Sequence, residues 1–366
     1  MKISKLAIKT KSRNYDILIG SHIYKKLNIL LKVNNLNCEK ALIVLDKRVP
    51  KKLASNYTNL LKPKKKILFY FKASEKNKSQ KNVLKILDIL FKNDFQRNDC
   101  LISIGGGITG DLCGFASSIY KRGIKFINIP STLLAQVDSA IGGKTGVNSK
   151  DGKNMIGSFY QPHLVISDIS FLNSLPKREV VCGYAEILKH SLISNKKFFT
   201  YLNKNANYIF KFDKKVLINS ILESCKIKKK IVEKDENEKG LRKSLNFGHT
   251  FAHSFEAVNK FSKNLNHGEA VLLGILCASN LSNKINLLKN NDYETIKKHF
   301  ENFSLLKDLK KYFKKKDISK IISFMKKDKK NTSSNINLIL IKKIGKIKIN
   351  SQFSENFIKK FLSNIL

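Results

Sequence analysis

Glu186, His249, His253 and His267 are the residues in this chain whose types and spacing most directly suggest chemistry. The run Gly248-His249-Thr250-Phe251-Ala252-His253 places two imidazoles one turn apart on one helix face. His267-Gly268-Glu269 opens the next helical pattern, and an earlier one offers Glu186. A single histidine is more often structural than ligating. Here, however, three of only seven histidines fall between positions 249 and 267. Three nitrogen or oxygen ligands with an open fourth position describe a catalytic zinc site. The spacing is not H-E-x-x-H, which argues against a metalloprotease.

A second group is the stretch Ile102 to Asp111, where an apolar run meets Gly105-Gly106-Gly107-Ile108-Thr109-Gly110. Gly105, Gly107 and Gly110 fit G-x-G-x-x-G, which lets a backbone turn sharply and offer its N–H groups to a phosphate at a helix start. Alone this pattern is weak. The acid expected about 20 residues later, for ribose hydroxyls, is absent, because the following strand ends in Asn128-Ile129-Pro130. The best acid lies upstream, at Asp46, so a bound nucleotide requires a strand order or pairing unlike the common one.

The third group is Pro130 to Asn148 with Gly152 to Gly157. Its Gly142-Gly143-Lys144-Thr145 resembles the end of a P-loop, but Asp138 stands where the first glycine should be. Lys144, Lys153 and Asn154 beside glycines suit a phosphate or carboxylate, although a basic, turn-rich loop explains either lysine alone.

The elements that must position these groups change character along the chain. Apolar runs at 41–46, 67–71, 101–104 and 126–129 alternate with helical spacing at 50–61, 82–93 and 111–119, after a strand pair within 1–20 and a short helix over 23–31. This predicts a Rossmann-like parallel α/β sheet with its ligand site at the carboxyl ends of the strands. Past about Leu172, helical patterns at 179–194, 214–233, 246–259, 267–284 and 292–303 take over, with a weak hairpin at 336–341 and 345–349. The expected division is an α/β domain over 1–171 and a mainly α-helical metal- and substrate-binding domain over 172–366, with the boundary near Asp168 to Pro176 and the active site between the two.

Seventy Lys and Arg against 28 Asp and Glu give a formal charge of +42. Such a charge can indicate nucleic acid. Here the lysines are spread along the chain, with no zinc-finger spacing or aromatic RNA-binding pattern, so neither a specific nucleic acid nor a membrane is expected as partner. An anionic small substrate fits the charge. The six cysteines are scattered with no C-x-x-C pair, and the first residues lack the apolar core of a signal peptide. These features lead us to expect a soluble, cytoplasmic protein with reduced thiols.

Together the segments resemble the 3-dehydroquinate synthase family of sugar-phosphate cyclases. The carrying stretches are GGGITGDLCGFASS at 105–118, YKRG at 120–123, PSTLLAQVDSAIGGKTGVN at 130–148 and GKNMIGSFYQP at 152–162. LPKRE at 175–179, GYAEILKH at 183–190, DENEKGLRKSLNFGHTFAH at 235–253 and HGEAV at 267–271 complete the series. The resemblance runs from about Asp46 to Asn350.

It implies Glu186, His249 and His267 as ligands of Zn2+, with Co2+ an alternative ion. His253 becomes a substrate-contacting group that handles protons. NAD+ contacts fall on Asp46, on Ala73, Ser74, Glu75, Lys76, Asn77 and Lys78, and on Gly107, Ile108, Thr109, Gly110 and Asp111. They continue through Ser131, Thr132, Lys144, Lys153, Phe171, Leu172, Asn173 and Ser174. Lys144, Lys189, Arg122 and Asn154 match catalytic positions, and Asp138, Lys228, Arg242 and Asn246 substrate-binding ones. One lysine of Asp328-Lys329-Lys330 reaches the substrate phosphate. Two departures fall at cofactor contacts: a family Asp-Gly-Glu is Ala73-Ser74-Glu75 here, and a Thr-Thr pair is Ser131-Thr132.

The implied activity belongs to the shikimate pathway, on the way to chorismate and the aromatic amino acids. 3-Deoxy-D-arabino-heptulosonate 7-phosphate becomes 3-dehydroquinate and phosphate. The steps are a transient oxidation by NAD+ beside zinc, phosphate elimination, reduction, ring opening and an intramolecular aldol closure. A homodimer is implied as well. The alternative is another sugar-phosphate cyclase or a zinc polyol dehydrogenase of the same fold. A dehydrogenase would release NADH stoichiometrically, whereas a cyclase would release phosphate without it.

Overall fold

The computed structural model describes residues 3–150, 152–262, 264–327 and 335–366. Lys329 and Lys330 lie outside the described residues. The chain forms two compact units: residues 1–180 with 212–237, and residues 181–211 with 238–366.

The first unit is built on a seven-stranded sheet. Its strands are β1 (Ser4–Lys9), β2 (Asn14–Gly20), β3 (Lys40–Asp46), β4 (Lys65–Phe71), β5 (Cys100–Gly105) and β6 (Lys125–Pro130), with β9 (Leu164–Asp168) as the seventh. A separate antiparallel hairpin of β7 (Lys144–Ser149) and β8 (Gly152–Phe159) intervenes in sequence. The sheet order is β1-β2-β9-β6-β5-β3-β4, parallel throughout except for the β1–β2 pair.

The central strands are buried on both faces, as continuous apolar runs require. Ile43, Ile102, Ile104 and Ile127 join one core cluster; Leu42, Val44, Leu101 and Phe126 join the other. β1 instead alternates between exposed and buried positions. Helix Lys214–Lys234 packs on β1 and β2. It therefore groups with the sheet unit, so a single cut at 171/172 does not describe the division.

Asp168 ends β9 and ties its surroundings together. Its carboxylate accepts from the N–H groups of His22 (2.9 Å) and Ile23 (2.7 Å) and from the Tyr57 hydroxyl (2.7 Å).

The second unit is mainly helical, with helices Lys196–Phe210, His249–Val258, His267–Lys284, Asn290–Asn302, Ile318–Lys327 and Glu355–Ile365 and most of Lys177–Ser194. A hairpin of Ile336–Lys343 and Lys346–Phe353 packs on helix His267–Lys284. Two glycines set how closely its helices approach. A Cβ on Gly274 would lie 2.1 Å from the Gly248 carbonyl oxygen, and one on Gly268 would lie 2.2 Å from Cys182 Cα. No side chain fits at either place, so helix His267–Lys284 touches both of its neighbours backbone to backbone.

Several elements differ from the sequence expectation. The glycine-turn helix opens at Gly107 rather than 111, and 23–31 divides into a tight turn (Ile23–Lys26) and a helix (Leu27–Val33). Residues 144–149 and 152–159 form a hairpin rather than a turn-rich loop, and helices 196–210, 318–327 and 355–365 are not among the helical patterns expected from sequence. Among the described residues no helix is long and apolar enough to cross a membrane.

Candidate active site

In the helical unit, the backbone contacts at Gly268 and Gly274 bring three helices together, and each contributes one donor. Glu186 sits midway along helix Lys177–Ser194, while His249 and His267 each open a helix. Their donor atoms lie within 4.8 Å of one another. His249 Nε2 is 3.5 Å and His267 Nε2 4.0 Å from Glu186 Oε1.

Burial alone would push the Glu186 carboxyl up. The Lys189 ammonium, with His249 and His190, outweighs this and holds it well below the ordinary range. Burial and then Lys189 lower His249, so its imidazole is neutral and able to ligate. Lys189 Nζ lies against Glu186 Oε2. Even so, neither buried Glu186 oxygen makes a well-formed hydrogen bond among the described residues. A carboxylate and two imidazoles, converging on Glu186 Oε1, fit a divalent ion of the zinc type.

His253 has a different place. It is exposed, its ring is 5.4 Å from that of His249, and it is not part of the donor cluster. Spacing offers it as a ligand and the resemblance as a substrate-contacting group; the donor cluster forms without it. Arg242 is buried on the turn Leu241–Asn246, and Asn246 Nδ2 donates to Glu238 Oε1 at 2.9 Å.

In the sheet unit, β5 runs into the glycine turn and helix Gly107–Ile119, whose first turn no side chain caps. Gly105 is needed there: a Cβ would lie 2.6 Å from Thr109 Oγ1 and 3.0 Å from Asp46 Cβ. This places Asp46, at the end of β3, directly beside the turn. An acid therefore stands beside the turn on a strand earlier in sequence but adjacent in the sheet. Asp46 is paired with Arg48 at 2.9 Å. Ser131 N donates to the Gly105 carbonyl, and Thr132 Oγ1 accepts from Ala135 N. A helix start without a side-chain cap, beside a strand-end acid, fits the phosphates and ribose of a dinucleotide.

Nearby groups satisfy one another. Buried Lys78 donates to Asp111 Oδ2 and Asn154 Oδ1, both at 2.5 Å. Burial raises the Asp111 carboxyl, an effect that Lys78 partly offsets. Lys153 Nζ lies 3.7 Å from Glu75 Oε1, and Lys228 donates to the Asp138 carboxylate (2.5 Å) and carbonyl (2.7 Å).

Ala73 is buried and Lys76 exposed, while Asn77 is held by its own hydrogen bond to the Lys72 carbonyl. Gly107 and Ile108 are half-buried at the helix start, and Gly110 is buried against Asn128. Lys144 begins β7 and is exposed. Arg122 and Asn154 have left-handed backbones (φ 62° and 56°), which non-glycine residues rarely hold without a reason. Phe171 and Leu172 are buried, Phe171 stacking on Tyr57 at 5.2 Å, whereas Asn173 and Ser174 are exposed.

Two residues without an expected role, Asn148 and Glu256, hold these groups in place. Asn148 Nδ2 donates to the Glu75 carbonyl (3.0 Å) and carboxylate (2.9 Å), and its Oδ1 accepts from Asn154 N at 2.9 Å. Glu256 Oε2 lies 3.1 Å from His267 Nδ1. Glu256 was detectable: His249, His253 and Glu256 stand at i, i+4 and i+7, one helix face.

Residues 68–182 match the family model for the 3-dehydroquinate synthase N-terminal region, and 183–331 that for its C-terminal region. The chain is 54% identical to the 3-dehydroquinate synthase of Pelagibacter ubique over 366 residues, all of both chains. It is 41% identical to that of Dictyoglomus thermophilum, over 98% of each. Its fold matches 2-deoxy-scyllo-inosose synthase, solved with carbaglucose-6-phosphate, NAD+ and Co2+ (TM-score 0.89, 23% identity, 99% and 100% covered). It also matches the 2-epi-5-epi-valiolone synthase of Streptomyces hygroscopicus subsp. jinggangensis, solved with NAD+ and Zn2+ (TM-score 0.85, 23% identity, 100% and 99% covered). An iron-containing alcohol dehydrogenase lies further off (TM-score 0.67, 16% identity, 96% and 97% covered). Full-length identity to these synthases, over a cluster of one carboxylate and two imidazoles, shows that this chain belongs to the 3-dehydroquinate synthase family.

Proposed function

We propose that this chain binds NAD+ at the glycine turn and one divalent ion at Glu186, His249 and His267. With them it converts 3-deoxy-D-arabino-heptulosonate 7-phosphate to 3-dehydroquinate and phosphate. The observation that carries this reading is the convergence of those three donors in a chain of this family. When bound, NAD+ supplies a hydride acceptor that is regenerated within the cycle, and the ion supplies a Lewis acid for a secondary alcohol.

The chain's own residues do the rest. The residues that the resemblance assigns to the substrate, Lys189, Arg242, Asn246, Arg122, Lys144, Asn154 and Lys228, are cations and amides suited to its carboxylate and phosphate groups. Asp138 positions the Lys228 ammonium. His253, exposed beside the donor cluster, takes and returns substrate protons. Asp46 receives the ribose hydroxyls in exchange for Arg48, and Lys78 and Asp111 line the dinucleotide. Lys329 or Lys330 takes the phosphate. Six free thiols accord with a reducing cytoplasm. The homodimer implied by resemblance is checked by light scattering.

The test is turnover by the purified chain with heptulosonate phosphate, NAD+ and Zn2+, following phosphate, dehydroquinate and NADH together. Equal phosphate and dehydroquinate with no accumulating NADH is expected. Stoichiometric NADH without phosphate would instead make the chain a dehydrogenase of this fold.

A further inference from the structure

We propose that Glu256 is the positioning residue for the metal ligand His267, holding its Nδ1 so that Nε2 is presented to the ion. This rests on reading Glu186, His249 and His267 as a metal site. Both histidines point the same way. His249 Nδ1 is 3.2 Å from the Phe247 carbonyl and its Nε2 faces Glu186; His267 Nδ1 is 3.1 Å from Glu256 Oε2 and its Nε2 also faces Glu186. An imidazole that donates from Nδ1 carries its lone pair on Nε2, the form that ligates through Nε2.

The two rings are fixed by different means. His249 is 9% exposed, and its acceptor is a carbonyl two residues away on its own backbone, so local structure sets its tautomer. His267 is the first residue of its helix, and 34% of its side chain is exposed. Its Nδ1 partner is a carboxylate on a different helix. Glu256 is 6% exposed, and a carboxylate taken that far from water needs strong donors.

Charge adds a second reason. A divalent ion here would sit near the positive end of helix His267–Lys284, with Lys189 already against Glu186. The Glu256 charge lowers the positive excess that a bound ion creates.

The experiment uses the full chain, metal-depleted, titrated with Zn2+ against a chromophoric chelator. Glu256→Gln is expected to weaken Zn2+ binding about 10- to 100-fold, and Glu256→Ala at least as much. Glu186→Gln, which removes a ligand charge, should weaken it further. In wild-type metal-free protein, long-range 15N–1H spectra should show His267 protonated at Nδ1, a readout that needs no variant to fold. Zn2+ affinity within twofold of wild type in both Glu256 variants, or His267 protonated at Nε2 in the wild type, would overturn the proposal. If Glu186→Gln also leaves affinity unchanged, the metal reading itself fails; if only the Glu256 variants do, this inference alone falls.

Discussion

The two chemically equipped regions of this chain differ in how far they satisfy themselves. Around the glycine turn almost every candidate group already has a protein partner: Lys78 with Asp111 and Asn154, Asp46 with Arg48, Lys228 with Asp138, and Asn148 with Glu75. In the helical unit, Lys189 lies against one oxygen of buried Glu186, while two imidazole nitrogens face the other without a well-formed hydrogen bond. The first region is a closed polar network whose members a ligand must join or exchange. The second is a carboxylate, with Lys189 on one oxygen, whose other oxygen faces two imidazoles, an arrangement that a divalent cation completes. Buried polar networks therefore identify the metal site more sharply than the nucleotide site.

The sharpest way to break the contrast is to remove a donor from the open cluster. Glu186→Gln should lower turnover by about three orders of magnitude, the scale of losing a Lewis acid, and abolish Zn2+ uptake measured by elemental analysis. Retained activity in metal-free protein would erase the distinction.

Next, Gly105→Ala forces a methyl group against Thr109 and Asp46. Overpacking of about 1–3 kcal/mol should weaken NAD+ binding by roughly tenfold in calorimetry while leaving Zn2+ affinity unchanged. Asn148→Ala removes a clamp on Glu75 and Asn154, and a several-fold rise in the NAD+ dissociation constant is expected, from a net loss of about 1 kcal/mol.

The smallest effect concerns the scaffold of the helical unit. Buried His299 bonds Tyr184 at 2.8 Å, and burial lowers its pKa to about 3. In the unfolded chain it takes up a proton near the ordinary value of about 6.5. Its contribution to stability is therefore full above about 6.5 and is lost as pH falls toward 3. His299→Gln should flatten the dependence of the urea midpoint on pH across that window.

Much of this was legible in the sequence. Continuous apolar runs ending in Asp46 and in the glycines marked β3 and β5, because strands buried on both faces leave no alternation to confuse. All three donors were named in the sequence, His249 and His267 from histidine clustering and Glu186 from an earlier helix; helix periodicity offered His253 as readily as His267, and it took the family motifs to separate them. The hairpin of β7 and β8 was hidden because its glycines read as turn formers. In the structure Gly146 and Gly157 lie back to back, where a Cβ on Gly157 would sit 2.0 Å from the Thr145 carbonyl. Helix Lys214–Lys234 carries an ordinary amphipathic pattern, and no local signal states that its apolar face covers β1 and β2. Glu256 and Asn148 act across elements, so their partners become visible only once the chain is folded.

The most direct measurement of the central claim is anomalous diffraction at the zinc edge from crystals of the Zn2+-loaded chain. One peak per chain is expected, ligated by Glu186 and by Nε2 of His249 and His267, with His267 Nδ1 still on Glu256. A peak held by His253 in place of His267, or no peak among these residues, would contradict it.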